Sequence, residues 1–382
     1  MHVSLYANAL NLAFLLGVFL RRKGHQVRVF TDQAAADHDR PEWECVDAGE
    51  LAAVPRVAVD VDVKRWLLGG VRERRFRAQL AEADVVQTFG EGVIWSGGCG
   101  APDTVLSIGD DLDILPFRMD SLRIRVYAQV LRRAQRRCRA VCYTMPPQED
   151  SCRLLGLTNA RFLPCAIPID TAAYRPLSSA ERATVRARLG LPSDAFVVFQ
   201  PSRQEWTCPE RPGSNHKGND RFLRAFARFV KGWGKEAWLL AVMKGRDVER
   251  SQALAQALDV DDRVRWIPQQ NKTGLRECLG ASDVVADQFT YGFYGISTLE
   301  AMAVGRPILA HMDGTALEAF GVEAPPVVSV RSEEEIYGAL CRLAERREGA
   351  EEIGAAARGW MIRHHGWETV VERYLALYKE LL

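Results

Sequence analysis

Met1-His-Val-Ser-Leu-Tyr-Ala-Asn-Ala-Leu-Asn-Leu-Ala-Phe-Leu-Leu-Gly-Val-Phe-Leu-Arg-Arg-Lys-Gly-His-Gln-Val-Arg-Val-Phe30 opens the chain and decides how the rest is read. His2 to Tyr6 is a short apolar run. Asn11 to Lys23 carries apolar residues at helical spacing and stops at Gly24. Gln26 to Phe30 alternates Val, Val and Phe around Arg28. Strand, helix and strand in immediate succession predict a βαβ unit and therefore a parallel sheet. The apolar stretch Leu5 to Leu20 contains Asn8 and Asn11 and is short for a membrane span. Its charges, Arg21, Arg22 and Lys23, follow it, whereas a signal peptide carries them first.

The alternation continues. Ala83–Gln87, Thr104–Ile108 and Arg139–Tyr143 read as strands, a helix runs through Cys152, and this sheet is expected to end near Arg161–Pro164. Ile167 to Pro176 holds two prolines and little periodicity, and a domain boundary is expected there. Strands are then expected at Phe196–Phe199, Trp238–Val242, Val264–Ile267, Val284–Ala286 and Pro307–Ala310. Helices are expected at Asp220–Val230, Val248–Leu258, Leu275–Leu279 and Thr298–Val304. The tail from Trp367 to Leu382 reads as an amphipathic helix. The expected fold class is α/β: two Rossmann-like parallel-sheet domains facing across a cleft, residues 1–170 and 171–360, with a terminal segment 361–382.

The chain has 382 residues, 47% hydrophobic and 26% charged, which are globular values. A net charge of +1 gives no push toward nucleic acid, and no nucleic-acid partner is expected. The nine cysteines are scattered, with no C-x-x-C pair and no histidine at zinc-finger spacing. They read as reduced, mostly buried thiols of a cytoplasmic protein. His2, His38, His364 and His365 have no partner at catalytic spacing and read as surface or packing residues.

Chemistry concentrates in the second half. In Tyr291-Gly-Phe-Tyr-Gly-Ile-Ser-Thr-Leu-Glu-Ala-Met-Ala-Val-Gly-Arg-Pro307, glycines precede a helix expected to start near Ser297. Gly295 lets the backbone approach a ligand, and the N–H groups of Ile296, Ser297 and Thr298 sit at the positive end of the helix. That is a diphosphate cradle without the G-x-x-x-x-G-K-[ST] spacing of a P-loop. Glu300, placed in the first turn, offers a carboxylate to two vicinal ribose hydroxyls, or serves only as an acid favouring the dipole. Arg203 stands just past a strand end, and Lys217 precedes a helix start. Two such cations suit a diphosphate leaving group, though either alone would be ordinary surface charge.

Taken together these pieces resemble the family 4 retaining glycosyltransferases of GT-B architecture, the glycosyl transferases group 1. Arg203, Lys217-Gly218, Phe293-Tyr294-Gly295, Leu299-Glu300-Ala-Met-Ala303 and Gly305-Arg-Pro307 match that family's second domain in order. Lys23-Gly-His-Gln-Val27, Asp170 after Pro168, and Trp367 opening the last helix are weaker echoes. The resemblance implies an N-terminal acceptor domain, a C-terminal donor domain and a last helix that crosses back to the first. It implies a nucleotide-diphosphate-sugar donor, UDP- or GDP-linked, with no obligatory cofactor or metal. Arg203, Lys217 and Glu300 would be catalytic, and Gly245, Ile267, Gly295, Ile296, Ser297, Thr298 and Glu300 would line the donor. Asn8, Asn11, Asp110 and Asp111 would face a hydroxyl acceptor.

Three departures stand out. The family's sugar-contacting glutamate falls on Gly292, leaving Asp287, Gln288 or Tyr291 as substitutes. The first-domain histidine that faces the reacting sugar is Ile108, in Ile108-Gly109-Asp110-Asp111. Extra residues, Trp206, Cys208 and two prolines among them, separate Arg203 from Lys217. The resemblance implies front-face chemistry, in which the bond to the diphosphate breaks first and the departing phosphate takes the acceptor proton. Arg203, Lys217 and the helix N-terminus would stabilise the charge that grows on the leaving group. Asp111-Leu-Asp113 has the spacing of a metal signature but lies in the presumed acceptor domain.

Arg118 to Arg139 holds eight arginines against one acid, Asp120, with Arg132, Arg133, Arg136 and Arg137 on one expected helix. A solvated face is the simpler reading; peripheral contact with anionic lipid at the inner membrane face is the other. The departures also admit a nucleotide-sugar-binding pseudoenzyme, or a GT-B epimerase or phosphorylase.

Overall fold

A computed structural model of the chain describes residues 1–7, 11–33, 39–44, 47–210 and 215–382. The chain divides into two compact units, one of Met1–Pro168 with Trp367–Leu382, the other of Ile169–Gly366.

The first unit is built on β1 (His2–Tyr6), β2 (Gln26–Asp32), β3 (Arg56–Val59), β4 (Val85–Phe89), β5 (Asp103–Leu106), β6 (Ala140–Tyr143) and β7 (Ala160–Phe162). They form one sheet in the order β3-β2-β1-β4-β5-β6-β7, and every pairing is parallel. β3 is the strand the sequence reading passes over. It is four residues long, lies at the sheet edge and keeps only Val59 buried, so its apolar signal is weak.

Alternation along β1 sorts its side chains between two cores. Val3 and Leu5 join Leu12, Phe14, Leu16 and Phe19 of the helix Leu12–Arg22. Tyr6 points the other way, to Phe76, Trp95 and Leu131. Such two-sided burial is what a parallel sheet requires. The terminal helix Trp367–Leu381 belongs to the first core: Val370, Val371, Tyr374 and Tyr378 are buried in it. Trp367 stacks on Phe19 with ring centroids 5.3 Å apart. The buried hydroxyl of Tyr374 donates to the Ala166 carbonyl at 3.0 Å, and that of Tyr378 to Gln87 Oε1 at 3.3 Å.

The second unit carries β8 (Phe196–Gln200), β9 (Ala237–Met243), β10 (Val264–Pro268), β11 (Val284–Ala286), β12 (Ile308–Ala310) and β13 (Val328–Ser329). Their order is β10-β9-β8-β11-β12-β13, again all parallel. The helix Asn219–Trp233 buries Phe222, Phe226 and Phe229 against this sheet. Two further helices begin with reciprocal capping boxes, Ser178 with Glu181 and Ser332 with Glu335. Asp283 sits between Arg182 (2.6 Å) and Arg186 (2.8 Å) and accepts the Val197 N–H at 2.8 Å. Burial works to raise its pKa, but the two guanidinium groups prevail and hold it below the usual carboxylate range. That pairing locks the helix Ser179–Leu189 onto β8.

No helix among the described residues is long and apolar enough to cross a membrane. All eight cysteines among them are free thiols.

The helix Arg347–His365 crosses the helix Ile296–Ala303 at Gly354. A Cβ there would overlap the Gly305 carbonyl oxygen and lie 2.9 Å from its carbon. Gly354→Ala is therefore expected to cost about 1–3 kcal/mol as overpacking. A melting temperature equal to the wild type's would show that the two helices part freely.

Candidate functional site

The second unit gathers its polar residues where β8, β9 and β11 end, the edge at which open α/β sheets bind ligands. Ser202, two residues past β8, donates to the Asp287 carbonyl at 2.6 Å and so ties the β8 loop to the end of β11. Gln204 then runs beside the β9 loop, its N–H on the Lys244 carbonyl (2.7 Å) and its carbonyl taking the Asp247 N–H (3.0 Å). Gly245 makes this approach possible. Its φ is +111°, and a Cβ would lie 2.8 Å from the Gln204 nitrogen. Ile267 is buried near the end of β10.

The inserted loop is docked rather than loose at its start. Trp206 and Thr207 donate their N–H groups to Asp247 Oδ2 at 2.8 and 3.0 Å, and the Trp206 indole donates to Ser251 at 2.9 Å. Arg211 to Ser214 lie outside the described residues. The chain re-enters at Lys217, whose N–H bonds the Glu205 carbonyl (2.6 Å) and whose carbonyl takes the Phe289 N–H (2.9 Å).

This routing brings the two expected cations together. Arg203 donates to Asn215 Oδ1 at 3.0 Å and lies 3.8 Å from Glu205, with two-fifths of its side chain exposed. The Lys217 ammonium lies 6.0 Å from the Tyr291 ring centroid. Burial pushes its pKa down; Arg203 pushes the same way, and Asp287 and Glu205 oppose them. Asp287 itself is buried. It accepts the Thr298 hydroxyl at 2.6 Å, and burial keeps its pKa raised despite Thr298 and Lys217.

Gly295 precedes the helix Ile296–Ala303 in extended conformation and is exposed, while Ile296 and Ser297 are half-buried. Thr298 is not open to a ligand as expected, because its side chain is buried and its hydroxyl is spent on Asp287. The start at Ile296 also moves Glu300 out of the first turn. It is no solvated acid favouring the dipole. It is buried, and its Oε1 accepts from the Tyr174 hydroxyl (2.8 Å) and the Lys272 ammonium (2.5 Å).

Gly292 adopts φ +79°, where a glutamate would be strained and its Cβ would press on Asp313 at 3.2 Å. Of the three substitutes considered, Gln288 is committed to the loop. Its Oε1 takes the N–H groups of Thr290 (3.1 Å) and Tyr291 (2.6 Å), and its amide donates to the Phe293 carbonyl at 2.8 Å. Asp287 is engaged by Thr298, and Tyr291 is exposed beside Lys217. His365 is a packing residue, buried and 3.2 Å from the Tyr294 hydroxyl.

On the acceptor side, Asn8 lies outside the described residues. Asn11 is fully buried with φ 58° at the start of its helix, so it presents no side chain to solvent. Asp110 and Asp111 separate. Asp111 turns inward, its Oδ1 taking the Ser107 hydroxyl (3.0 Å) and the Ile108 N–H (2.9 Å). Asp110 and Ile108 are exposed. Asp113 is engaged elsewhere, by Ser151 at 2.8 Å. Sequence reasoning missed Glu91, which takes the Tyr127 hydroxyl and whose pKa is raised by burial and then by Asp110. Its signal is the Gly90-Glu-Gly92 turn directly after β4. It also missed Tyr174 and Lys272, which carry no motif. Among the described residues no group of three His, Cys, Asp or Glu side chains could hold a metal.

The arginine stripe is only partly a solvated face. In the helix Leu122–Arg137, Arg132 donates to the Pro116 carbonyl at 2.7 Å and Arg136 to that of Leu155 at 3.0 Å. Arg123, Arg133 and Arg137 are exposed, as are Met119, Leu122 (78%) and Val126.

Two tandem Rossmann-like units are the GT-B class of fold. Anabaena Alr3699/HepE, solved in complex with UDP-glucose, matches all of this chain and all of its own, with a TM-score of 0.74 at 16% identity. Sucrose-phosphate synthase from Thermosynechococcus elongatus matches 100% of this chain and 99% of its own, with a TM-score of 0.68 at 17% identity. Residues 213–360, within the second unit, match the family described as Glycosyl transferases group 1. The resemblance read from the motifs is borne out. A D-inositol 3-phosphate glycosyltransferase from Saccharomonospora viridis is 30% identical over 223 residues, 56% of this chain and 49% of that relative. The chain thus spans about half the length of the curated relatives it matches.

Burial raises the pKa of Asp111 to about 7, opposed by its bonds from Ile108 and Ser107. A carboxyl raised in this way holds its proton more tightly folded than unfolded. Its contribution is full below the unfolded value, near 4, and is lost as pH rises toward about 7. Asp111→Asn keeps the acceptor oxygen and removes the titration. Its melting temperature should fall less than the wild type's between about pH 5 and about pH 8. An identical pH slope would mean that Asp111 ionises freely.

Proposed function

We propose that the chain is a retaining hexosyltransferase that moves a sugar from a nucleotide-diphosphate donor, UDP- or GDP-linked, to a hydroxyl acceptor. The observation that carries this is the pairing of Arg203 and Lys217 beside the N-terminus of the helix Ile296–Ala303. Lys217 is a partly desolvated ammonium pushed down in pKa, with a second cation as neighbour. A diphosphate would supply the missing negative charge. Arg203 would grip it as a fork and Lys217 as a point charge, with the N–H groups of Ile296 and Ser297 completing the set.

In the reaction, these groups would stabilise charge developing on the leaving diphosphate. The sugar becomes oxocarbenium-like as its bond to that group breaks. The departing phosphate oxygen accepts the proton of the acceptor hydroxyl as the new bond forms on the same face. The UDP-glucose held by Alr3699/HepE supports a uridine donor here. Asp110, the exposed member of its pair, is the acceptor-side carboxylate of this reading. A protein that binds the nucleotide sugar without transferring it is the reading Gly292 favours. Donor-dependent glycosylation of any acceptor, or donor hydrolysis, excludes it.

The stretch from Met119 to Arg137 sets exposed Leu122 and Val126 among exposed arginines, a pattern suited to anionic lipid at the inner membrane face.

A thermal-shift screen against nucleotide diphosphates should raise the melting point with uridine or guanosine diphosphate. Arg203→Ala and Lys217→Ala should each lower transfer about 10²–10³-fold, roughly 2.7–4 kcal/mol of transition-state stabilisation. Wild-type rates in both variants would sink the assignment. For the lipid contact, co-sedimentation with phosphatidylglycerol vesicles should fall with added salt and in a Leu122→Asp, Val126→Asp double variant. Equal binding to neutral vesicles would exclude it.

A further inference from the structure

The inserted loop and the loop after β9 run side by side. The Gln204 N–H meets the Lys244 carbonyl at 2.7 Å, its carbonyl takes the Asp247 N–H at 3.0 Å, and the Trp206 and Thr207 N–H groups both reach Asp247 Oδ2. This pairing sets Glu205 beside Arg246. The Glu205 backbone is fixed on both sides, its N–H on Asn219 Oδ1 at 3.0 Å and its carbonyl taking the Lys217 N–H at 2.6 Å. Its carboxylate lies 3.8 Å from Arg203 by Oε1 and 3.5 Å from Arg246 by Oε2, and its charge acts on Lys217 as well. Neither guanidinium contact is a hydrogen bond, and Oε2 is buried with no donor among the described residues. A buried carboxylate is costly unless hydrogen bonds surround it. Here charge alone holds it. The Glu205 side chain is 8% exposed, whereas those of Arg203 and Arg246 are 41% and 60% exposed, so the cations and not the acid face solvent.

We propose that Arg246 is a third phosphate-binding cation of the donor site, and that Glu205 is an internal anion that engages Arg203 and Arg246 before a diphosphate binds. A diphosphate outcompetes a carboxylate held in this way. Its oxygens accept paired N–H bonds from a guanidinium fork, which Glu205 does not. Before binding, Glu205 offsets the mutual repulsion of Arg203, Lys217 and Arg246; afterwards it opposes their grip on the ligand. The second effect favours release of the nucleoside diphosphate that remains after transfer. The inference rests on the nucleotide-diphosphate reading of the site.

The test uses the full chain with inorganic pyrophosphate and with uridine and guanosine diphosphates, binding being measured by calorimetry. Glu205→Gln keeps the shape of the side chain and removes its charge. It should tighten pyrophosphate and the preferred nucleotide on the order of tenfold. A residue that only supports the loop would weaken binding when altered, so tightening separates the two roles. Glu249→Gln removes the same charge from an exposed acid in the first turn of the next helix and should leave both affinities unchanged. Arg246→Ala should weaken both ligands on the order of tenfold, the scale of one hydrogen bond to a charged group. Pyrophosphate carries no base, so its loss is assigned to the phosphates. Arg246→Lys should recover part of it. Glu205→Gln binding no more tightly than Glu249→Gln would overturn the proposal, as would wild-type affinity in Arg246→Ala. Failure of the wild type to bind either nucleoside diphosphate would overturn the reading beneath, and the inference with it, a result visible without any variant. Apo melting temperatures show whether each variant is folded; if Glu205→Gln is not, Glu205→Ala and the Arg246 pair carry the comparison.

Discussion

A carboxylate buried among Ser202, Lys217 and Thr298 draws separate segments to the end of β11. The Asp287 carbonyl takes the Ser202 hydroxyl, its N–H meets the Leu309 carbonyl, and its side chain takes Thr298. These contacts set the β8 loop, β12 and the start of the helix Ile296–Ala303 relative to one another. Lys217 is electrostatically coupled to the same carboxylate. A buried ionisable group is costly unless hydrogen bonds and opposite charge surround it. Asp287 therefore constrains its neighbours as much as they satisfy it.

The loop that follows obeys a second constraint. Gln288 spends both ends of its amide on the backbone of residues 290 to 293 and so shapes the turn from within. That turn needs a left-handed residue at 292, and glycine supplies it without strain. The loop is held by its own backbone and the Gln288 amide.

The first unit shows how adjacent acids acquire different roles. Asp111 is drawn into the turn after β5 by Ser107 and the Ile108 N–H, whereas Asp110 remains outside beside Glu91. The arginine stripe divides in the same way, half-buried Arg132 closing the Pro116 carbonyl while Arg133 beside it is exposed. In both places helix or turn geometry assigns opposite environments to residues one position apart.

Sequence alone determined the parallel α/β class and most strands, because burial on both faces forces continuous apolar runs such as Phe196–Phe199. It also singled out Arg203, Lys217 and Gly295 as candidates, because two cations and a glycine-led helix start recur in one pattern that none of them would mark alone. It missed β3 and β13, short edge strands with little apolar periodicity. Only the tertiary structure decided what Glu300 meets. Tyr174 and Lys272 stand 126 and 28 residues from it in the chain, and no local spacing encodes a contact over that distance. It likewise turned Thr298 and Asp111 inward and Asp110 outward, because burial and hydrogen-bond satisfaction are properties of the packed chain.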